Sequence, residues 1–513
     1  MVDAVIAANA QRPRRRKLAS RIPGLDQILA GGWMEGGLYL VHGPAGAGKT
    51  ILAFQAGVEC ALHGGRVLYT SLLAESHGKL IEHIEGFAFF DAELIARQFI
   101  LTSAYDALRR DGLQGLLRQV AQAIATQRPQ LLIIDGFSVA RLFAIKSADY
   151  GQFVLQLGAI VTAARCTTLL LSPSQLEKGG EDVALVDGIL ELTTLSRGMR
   201  RSREIEVVKL RGGDPITGLH PFVITRQGIR IYPRLEALRS EMQEEQAEAL
   251  ATRNPPIERR SSGMPQIDAL LDGGLLPGCV TSIMGAPGTG KTILSMKFLE
   301  AGLARGEPGL YVGFYESPAR LLAKADSLGI ALRAHHNSGQ LRIEWHRPFE
   351  MLIDELAERI LAAIDAAQIK RVVIDSIEGL RDTAMRPERV AAFCAALLSQ
   401  FKARGVTTYL TEELDLFATE VATHDERIST YVENIILLRY VEVRSEMRRL
   451  ISIMKARATN YDSTIREFRI DDSGVVIGEP FRHLERVLSG QARLVAHRPG
   501  LRAPKPPKPP RGA

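Results

Sequence analysis

Gly43-Pro44-Ala45-Gly46-Ala47-Gly48-Lys49-Thr50 and Gly285-Ala286-Pro287-Gly288-Thr289-Gly290-Lys291-Thr292 decide the fold of this chain. Both fit the pattern G-x-x-x-x-G-K-[ST], one in each half of 513 residues. Glycines let backbone N–H groups close around phosphate oxygens, the lysine reaches the outer phosphates, and the threonine hydroxyl can ligate Mg²⁺. A helix that starts at the end of the loop adds a favourable dipole. A lone match could be a Gly-rich turn, so the flanks matter. Leu38-Tyr39-Leu40-Val41 and Val280-Thr281-Ser282-Ile283-Met284 precede the loops and read as buried strands. Ile51-Leu52-Ala53-Phe54 and Ile293-Leu294-Ser295-Met296 follow as apolar helix, and Ile51 and Ile293 are counted with the nucleotide site. Strand, loop and helix in that order predict a nucleotide binder in each half.

Further landmarks repeat at nearly one offset. The loop lysines are 242 residues apart; Asp135 and Asp375, each closing an apolar run, are 240 apart; Lys209-Leu210-Arg211 and Lys455-Ala456-Arg457 are 246 apart. A shared offset argues duplication. Apolar β-like runs alternate with helical stretches such as Ala104–Thr126 and Met351–Ala367, which implies a mostly parallel sheet flanked by helices in each half. The expected organisation is a basic tail over 1–19, a domain over 20–233, a charged linker over 234–258 broken by Pro255-Pro256, a second domain over 259–490, and a basic Pro-rich tail over 491–513.

Composition limits the alternatives. A hydrophobic share of 46% with 24% charged residues is that of a globular chain able to bury two cores. No apolar run approaches a membrane span, so no membrane insertion is expected. Four scattered cysteines, Cys60, Cys166, Cys279 and Cys394, form no C-x-x-C pair and read as buried thiols of a reducing cytoplasm. Residues 1–20 carry five cations against one acid, and 491–513 carry six cations and no acid, against a net charge of +6. The body between the tails is therefore acidic, which weighs against nucleic acid as a partner.

Asp135 and Asp375 stand where a strand-end carboxylate would hold Mg²⁺ or its water; a turn-forming Asp is the plainer alternative. Glu75 and Glu316 each follow a second strand about 25 residues after the loop threonine, a spacing that suits one crossover. Either could position or deprotonate a nucleophile, or be a solvated surface acid. Each K-x-R run puts two cations on one strand face, fitting a phosphate reached across an interface or a basic edge strand that resists aggregation.

With these residues in hand, the chain resembles the circadian clock protein KaiC family over roughly residues 20–490. Ile428-Ser429-Thr430, the run Ile435-Ile436-Leu437-Leu438-Arg439-Tyr440-Val441-Glu442-Val443-Arg444-Ser445-Glu446-Met447, and Phe481-Arg482-His483-Leu484-Glu485-Arg486-Val487-Leu488-Ser489-Gly490 carry the most specific likeness. The resemblance implies an α/β fold of two tandem RecA-like P-loop NTPase domains. It also implies a homohexameric ring with ATP and Mg²⁺ at the subunit interfaces, ATPase activity, and serine/threonine autokinase activity in the second domain at Ser429 and Thr430. Lys209, Leu210, Arg211, Lys455, Ala456 and Arg457 would approach a neighbour's nucleotide, and Arg203 and Arg449 match family arginines near phosphate. Two departures stand out. The family has two adjacent glutamates after the second strand, whereas this chain has Ala74-Glu75 and Tyr315-Glu316. The Pro-Lys tail replaces a more acidic segment that binds an activating partner, so general signalling partners are expected rather than a clock. Two other functions fit the motifs: a RecA/DnaB-like DNA-dependent ATPase, and a nucleotide-gated scaffold with little catalysis.

Overall fold

The computed structural model describes residues 16–73, 77–95, 97–173, 184–238, 258–348, 351–415, 431–443, 445–457, 460–471, 474–481, 484–485 and 493–494. The chain divides into two compact units between Arg239 and Ser240. Each is built around a nine-stranded sheet.

In the first unit the strands lie in the order Gly228–Ile231, His220–Thr225, Arg200–Leu210, Gly188–Arg197, Leu38–His42, Thr167–Ser172, Leu131–Asp135, Val67–Ser71, Phe99–Ser103. From Gly188–Arg197 to Phe99–Ser103 all pairings are parallel; the three strands beyond are antiparallel. The second unit repeats this topology with Leu341–Trp345, Gly309–Gly313, Arg371–Asp375, Thr407–Glu413, Val280–Gly285 and Asn434–Val443 parallel. Glu446–Ala456, Arg466–Asp471 and Gly474–Pro480 are antiparallel. The fold class expected from the sequence is the one observed.

Strand alternation explains why the central strands are apolar on both sides. Tyr39, Val41, Tyr69, Ile133 and Leu169 face the helix Lys49–Leu62, where Leu52, Phe54 and Val58 join the same core. Leu38, Leu40, Leu68, Leu132 and Leu170 face the helices Tyr105–Gln127 and Ser147–Ala163 through Leu116, Val120, Phe153 and Leu157. The expected helix Ala104–Thr126 is thus found with a break at Gly112, whose φ of 61° and ψ of −154° are not helical. Its counterpart runs Ile353–Ala367. Among the described residues no helix is long and apolar enough to cross a membrane, and all four cysteines are free and buried.

One buried cation braces the second unit. Arg371 is fully buried, donates from Nε to Glu307 at 2.5 Å and from Nη1 to the carbonyls of Ser261 and Phe298 at 2.7 and 2.8 Å, and lies over the Phe298 ring. Arg371→Ala would leave Glu307 with Arg260 as its remaining cation, remove a donor from two carbonyls and open a cavity over the Phe298 ring. It is expected to cost about 3–5 kcal/mol, read as a lower urea midpoint for the second unit.

Candidate functional site

Each phosphate loop leaves the carboxyl end of its unit's central strand, where doubly wound sheets place ligands. Its shape needs glycine at two points. A Cβ on Gly43 would lie 2.2 Å from the Leu192 carbonyl, and Gly48 starts the helix with a φ of 107°. Gly285 and Gly290 repeat this, with the Leu438 carbonyl 2.6 Å from the notional Cβ and a φ of 111°. Lys49 Nζ donates to the carbonyls of Gly43 and Pro44 at 2.7 and 2.9 Å. Lys291 Nζ donates to those of Gly285 and Ala286 at 2.7 and 3.1 Å. Both ammonium groups therefore sit at the mouth of their loop. Burial lowers the pKa of each, against the charge of Asp135 in the first case and of Glu413, Asp375 and Glu378 in the second.

The strand-end aspartates are where the sequence puts them. In the second unit Asp375 Oδ2 accepts from Thr292 Oγ1 at 2.9 Å and from Tyr311 OH at 2.6 Å, while Oδ1 accepts from Thr411 Oγ1 at 2.6 Å. In the first unit Asp135 accepts from Tyr69 OH and from the Gly136 N–H. A hydroxyl beside a carboxylate is the oxygen pair a hard divalent cation takes, so Thr292 with Asp375 fits Mg²⁺. Thr50 and Asp135 line one cavity of about 440 Å³ with Ala45, Gly46, Gly48, Lys49 and Ile51. Leu80, His83 and Ile84 form its less polar wall, a size and mixture suited to a nucleotide.

Tyr69 and Tyr311 were not singled out in the sequence, although they share the 242-residue offset of the loops and each bonds its aspartate. Tyr440 was also missed as a site residue: its hydroxyl donates to the Gly288 carbonyl at 2.9 Å, and Arg449 lies over its ring at 5.4 Å. Arg449 is thereby one aromatic ring from the second loop. Arg203, its counterpart, faces Thr194 on the neighbouring strand.

The K-x-R runs lie elsewhere. Lys209 pairs with Ile189 and Leu210 with Gly188, at the amino end of the strand that runs parallel to Leu38–His42. Lys209 Nζ and Arg211 Nη2 both donate to the Ala184 carbonyl, at 3.3 and 2.7 Å, so one side of the chain carries both, as alternation predicts. In the second unit Lys455 pairs with Ile435, next to Asn434, which pairs with Thr281 at the amino end of its own central strand. Arg211 and Arg457 fall just beyond the strand ends at Leu210 and Ala456. Five or six strand residues thus separate each K-x-R run from the loop of its own unit, roughly 15–20 Å.

Glu316 accepts from Lys324 Nζ at 2.7 Å, and Tyr315, which precedes it, donates to Asp382 at 2.8 Å. Glu75, Ser429 and Thr430 lie outside the described residues. The chain resumes at Tyr431, whose carbonyl accepts from Lys402, and the Glu433 N–H donates to the Val280 carbonyl. That is again the amino end of the Val280–Gly285 strand, opposite Lys291.

Comparison with known proteins agrees with this geometry. The family model described as "ATPase: KaiC" matches residues 18–236 and 260–482. Relatives include the circadian clock oscillator protein KaiC of Picosynechococcus sp., 30% identical over 94% of this chain and 93% of its own length. That of Rippkaea orientalis is 30% identical over 93% and 91%. That of Synechococcus elongatus is 29% identical over 94% and 93%.

Proposed function

Because this chain belongs to the KaiC family of ATPases, we propose that it binds Mg·ATP in both units, closes into a homohexameric ring, and phosphorylates Ser429 or Thr430 from the second unit. ATP binding and hydrolysis come with the family; the transfer to protein and the ring are the finer reading. Lys49, Thr50, Lys291 and Thr292 hold the phosphates with the loop amides. Asp135 and Asp375, with the threonines, would hold Mg²⁺, which offsets charge on the β- and γ-phosphate oxygens.

One observation carries the reading. Lys455, Arg457 and the chain entering at Tyr431 all lie at the end of the sheet opposite Lys291. Within one subunit the K-x-R cations and Tyr431, the residue that follows Thr430, lie a central strand's length, roughly 15–20 Å, from the loop. Between subunits packed head to tail, the amino end of one sheet meets the carboxyl end of the next, and both arrive together. The γ-phosphoryl group then passes to a serine or threonine oxygen of the neighbour, a carboxylate of the pocket takes the hydroxyl proton, and Lys455 and Arg457 offset the charge that develops. Lys209 and Arg211 serve the first unit in the same way, with water as acceptor. The relatives' name brings timing within this proposal, since a phosphorylated residue outlasts the ATP that made it. Buried thiols fit a cytoplasmic setting.

Native mass measurement with Mg·ATP is expected to give a species of six chains, and labelled ATP to leave phosphate at Ser429 or Thr430. A lone monomer in saturating nucleotide, with no label at either residue, would refute the reading.

A further inference from the structure

The two pockets are lined differently at three matched places. In the first, Ser138, Leu171 and Pro173 line the cavity that also holds Lys49, Thr50 and Asp135. Strand register identifies their partners in the second unit. Thr168 pairs with Leu38 as Thr408 pairs with Val280, so Leu171 corresponds to Thr411 and Pro173 to Glu413. Ser138 and Glu378 both stand three residues after the strand-end aspartate. The second pocket therefore has Glu378, Thr411 and Glu413 where the first has a hydroxyl and two apolar side chains.

Local bonds fix where these acids stand. Glu413 pairs with Gly285, the first residue of the phosphate loop, and the Leu414 N–H donates to the Gly285 carbonyl that also accepts from Lys291 Nζ. The Glu413 N–H donates to Glu378 Oε1 at 3.2 Å. Glu378 Oε2 is enclosed and has no hydrogen-bond partner among the described residues. Carboxylate oxygens enclosed in this way ordinarily find a donor. Meanwhile the side chains at the neighbouring strand end are occupied. Glu316 is bridged to Lys324. Tyr315 donates to Asp382, and its pKa is pushed up by burial and by the Asp382 carboxylate, with Glu378 and Glu413 adding to it, so it stays a phenol and is no base.

We infer that Glu378 is the proton acceptor of the second pocket, taking the role the sequence suggests for Glu316, and that the first pocket, with Ser138 in its place, lacks that acceptor. The inference rests on the reading that the second unit transfers phosphate. In the step, the hydroxyl oxygen of the acceptor forms a bond to the γ-phosphorus and the bond from that phosphorus to the β,γ-bridging oxygen breaks. The bridging oxygen leaves with the electron pair on ADP, and the hydroxyl proton moves to Glu378 Oε2. Water in place of the side chain gives hydrolysis with the same proton path. Oε1 stays on the Glu413 amide throughout, which holds the carboxylate in one orientation.

The test uses the full chain carrying Lys49→Ala, so that turnover reports the second pocket, and repeats the label measurement at Ser429 and Thr430 with the first pocket intact. Glu378→Gln keeps the shape and the Glu413 bond but cannot take a proton. It is expected to lower kcat by about 100-fold while a fluorescent ATP analogue binds within about threefold of the parent affinity. Glu378→Ala is expected to regain part of its rate with added formate, which a merely structural role would not show. A Glu378→Gln chain with parental kcat, or one whose affinity falls along with its rate, overturns the inference. If Lys291→Ala itself leaves turnover and label unchanged, the reading of the second unit fails and this inference with it. An inactive Lys291→Ala beside a fully active Glu378→Gln overturns the inference alone.

Discussion

Replacing Lys291 by alanine is expected to weaken ATP binding to the second unit by at least about 100-fold, or roughly 2.7 kcal/mol, and to leave Ser429 and Thr430 free of phosphate. The side chain ends at the loop mouth, bonded to the Gly285 and Ala286 carbonyls and facing the carboxylates of Glu413, Asp375 and Glu378. Without the ammonium group, three acids would meet a triphosphate with the loop's own cation gone. Electrostatic cost, rather than lost shape, then sets the size of the effect. The variant loses two side-chain bonds to backbone carbonyls, which costs the fold only about 1–2 kcal/mol. A cooperative unfolding transition near that of the parent, together with lost nucleotide binding, is the outcome to look for. Equal affinity for a fluorescent ATP analogue in Lys291→Ala and its parent, both carrying Lys49→Ala, would show that the second loop does not grip phosphate. Lys49→Ala alone should be milder for the label and should remove mainly the hydrolysis carried by the first unit. Its pocket lines the matched positions with Ser138, Leu171 and Pro173.

What the chain declares in its letters and what it hides follow from the range over which each signal acts. The phosphate loops are local: glycines at fixed steps, a lysine and a threonine, flanked by runs such as Leu38-Tyr39-Leu40-Val41. The strand-end aspartates are legible because a buried parallel strand is a continuous apolar run that stops at the charge, as Leu131–Asp135 does. Duplication makes each landmark visible twice. Features that depend on pairing between distant strands are not visible. Which end of the sheet carries Lys455 follows only from its register with Ile435, and from Asn434 lying beside Thr281. Tyr440 reaches Gly288 across a β-strand neighbour 152 positions away. Tyr311 reads as one more core aromatic until its hydroxyl is seen on Asp375. Glu378 reads as an ordinary acid in the first turn of the helix Ile377–Thr383, where the dipole favours one anyway. Only the strand paired beside it, with Glu413 next to Gly285, turns that helix start into a wall of the phosphate site.

The same register makes a mixing experiment the most discriminating one for the assembled state. Lys291→Ala chains keep Lys455, Arg457, Ser429 and Thr430 but cannot hold ATP in the second unit. Chains carrying Lys455→Ala and Arg457→Ala keep the loop but offer no cations to a neighbour. Each variant alone is expected to label Ser429 and Thr430 at under about one hundredth of the parent rate, since loss of a transition-state cation alone costs about 10³-fold or more. Mixed in equal amounts and reassembled, the two should recover label at up to about a quarter of the parental rate. In a head-to-tail ring, one interface in four then joins an intact loop to intact cations. The position of the label settles the geometry. Lys455 and the residue following Thr430 lie at the same end of the sheet, with Lys455 Nζ donating to the Val432 carbonyl at 2.9 Å. The subunit that lends the cations must therefore also present the hydroxyls, and phosphate should appear on the Lys291→Ala chain, the one that cannot bind the ATP. A mass tag on either variant reads this directly. Label confined to the chain with the intact loop would mean that a subunit phosphorylates itself. That would require Ser429 or Thr430, one or two residues from Tyr431, to reach the opposite end of the central strand, roughly 15–20 Å away.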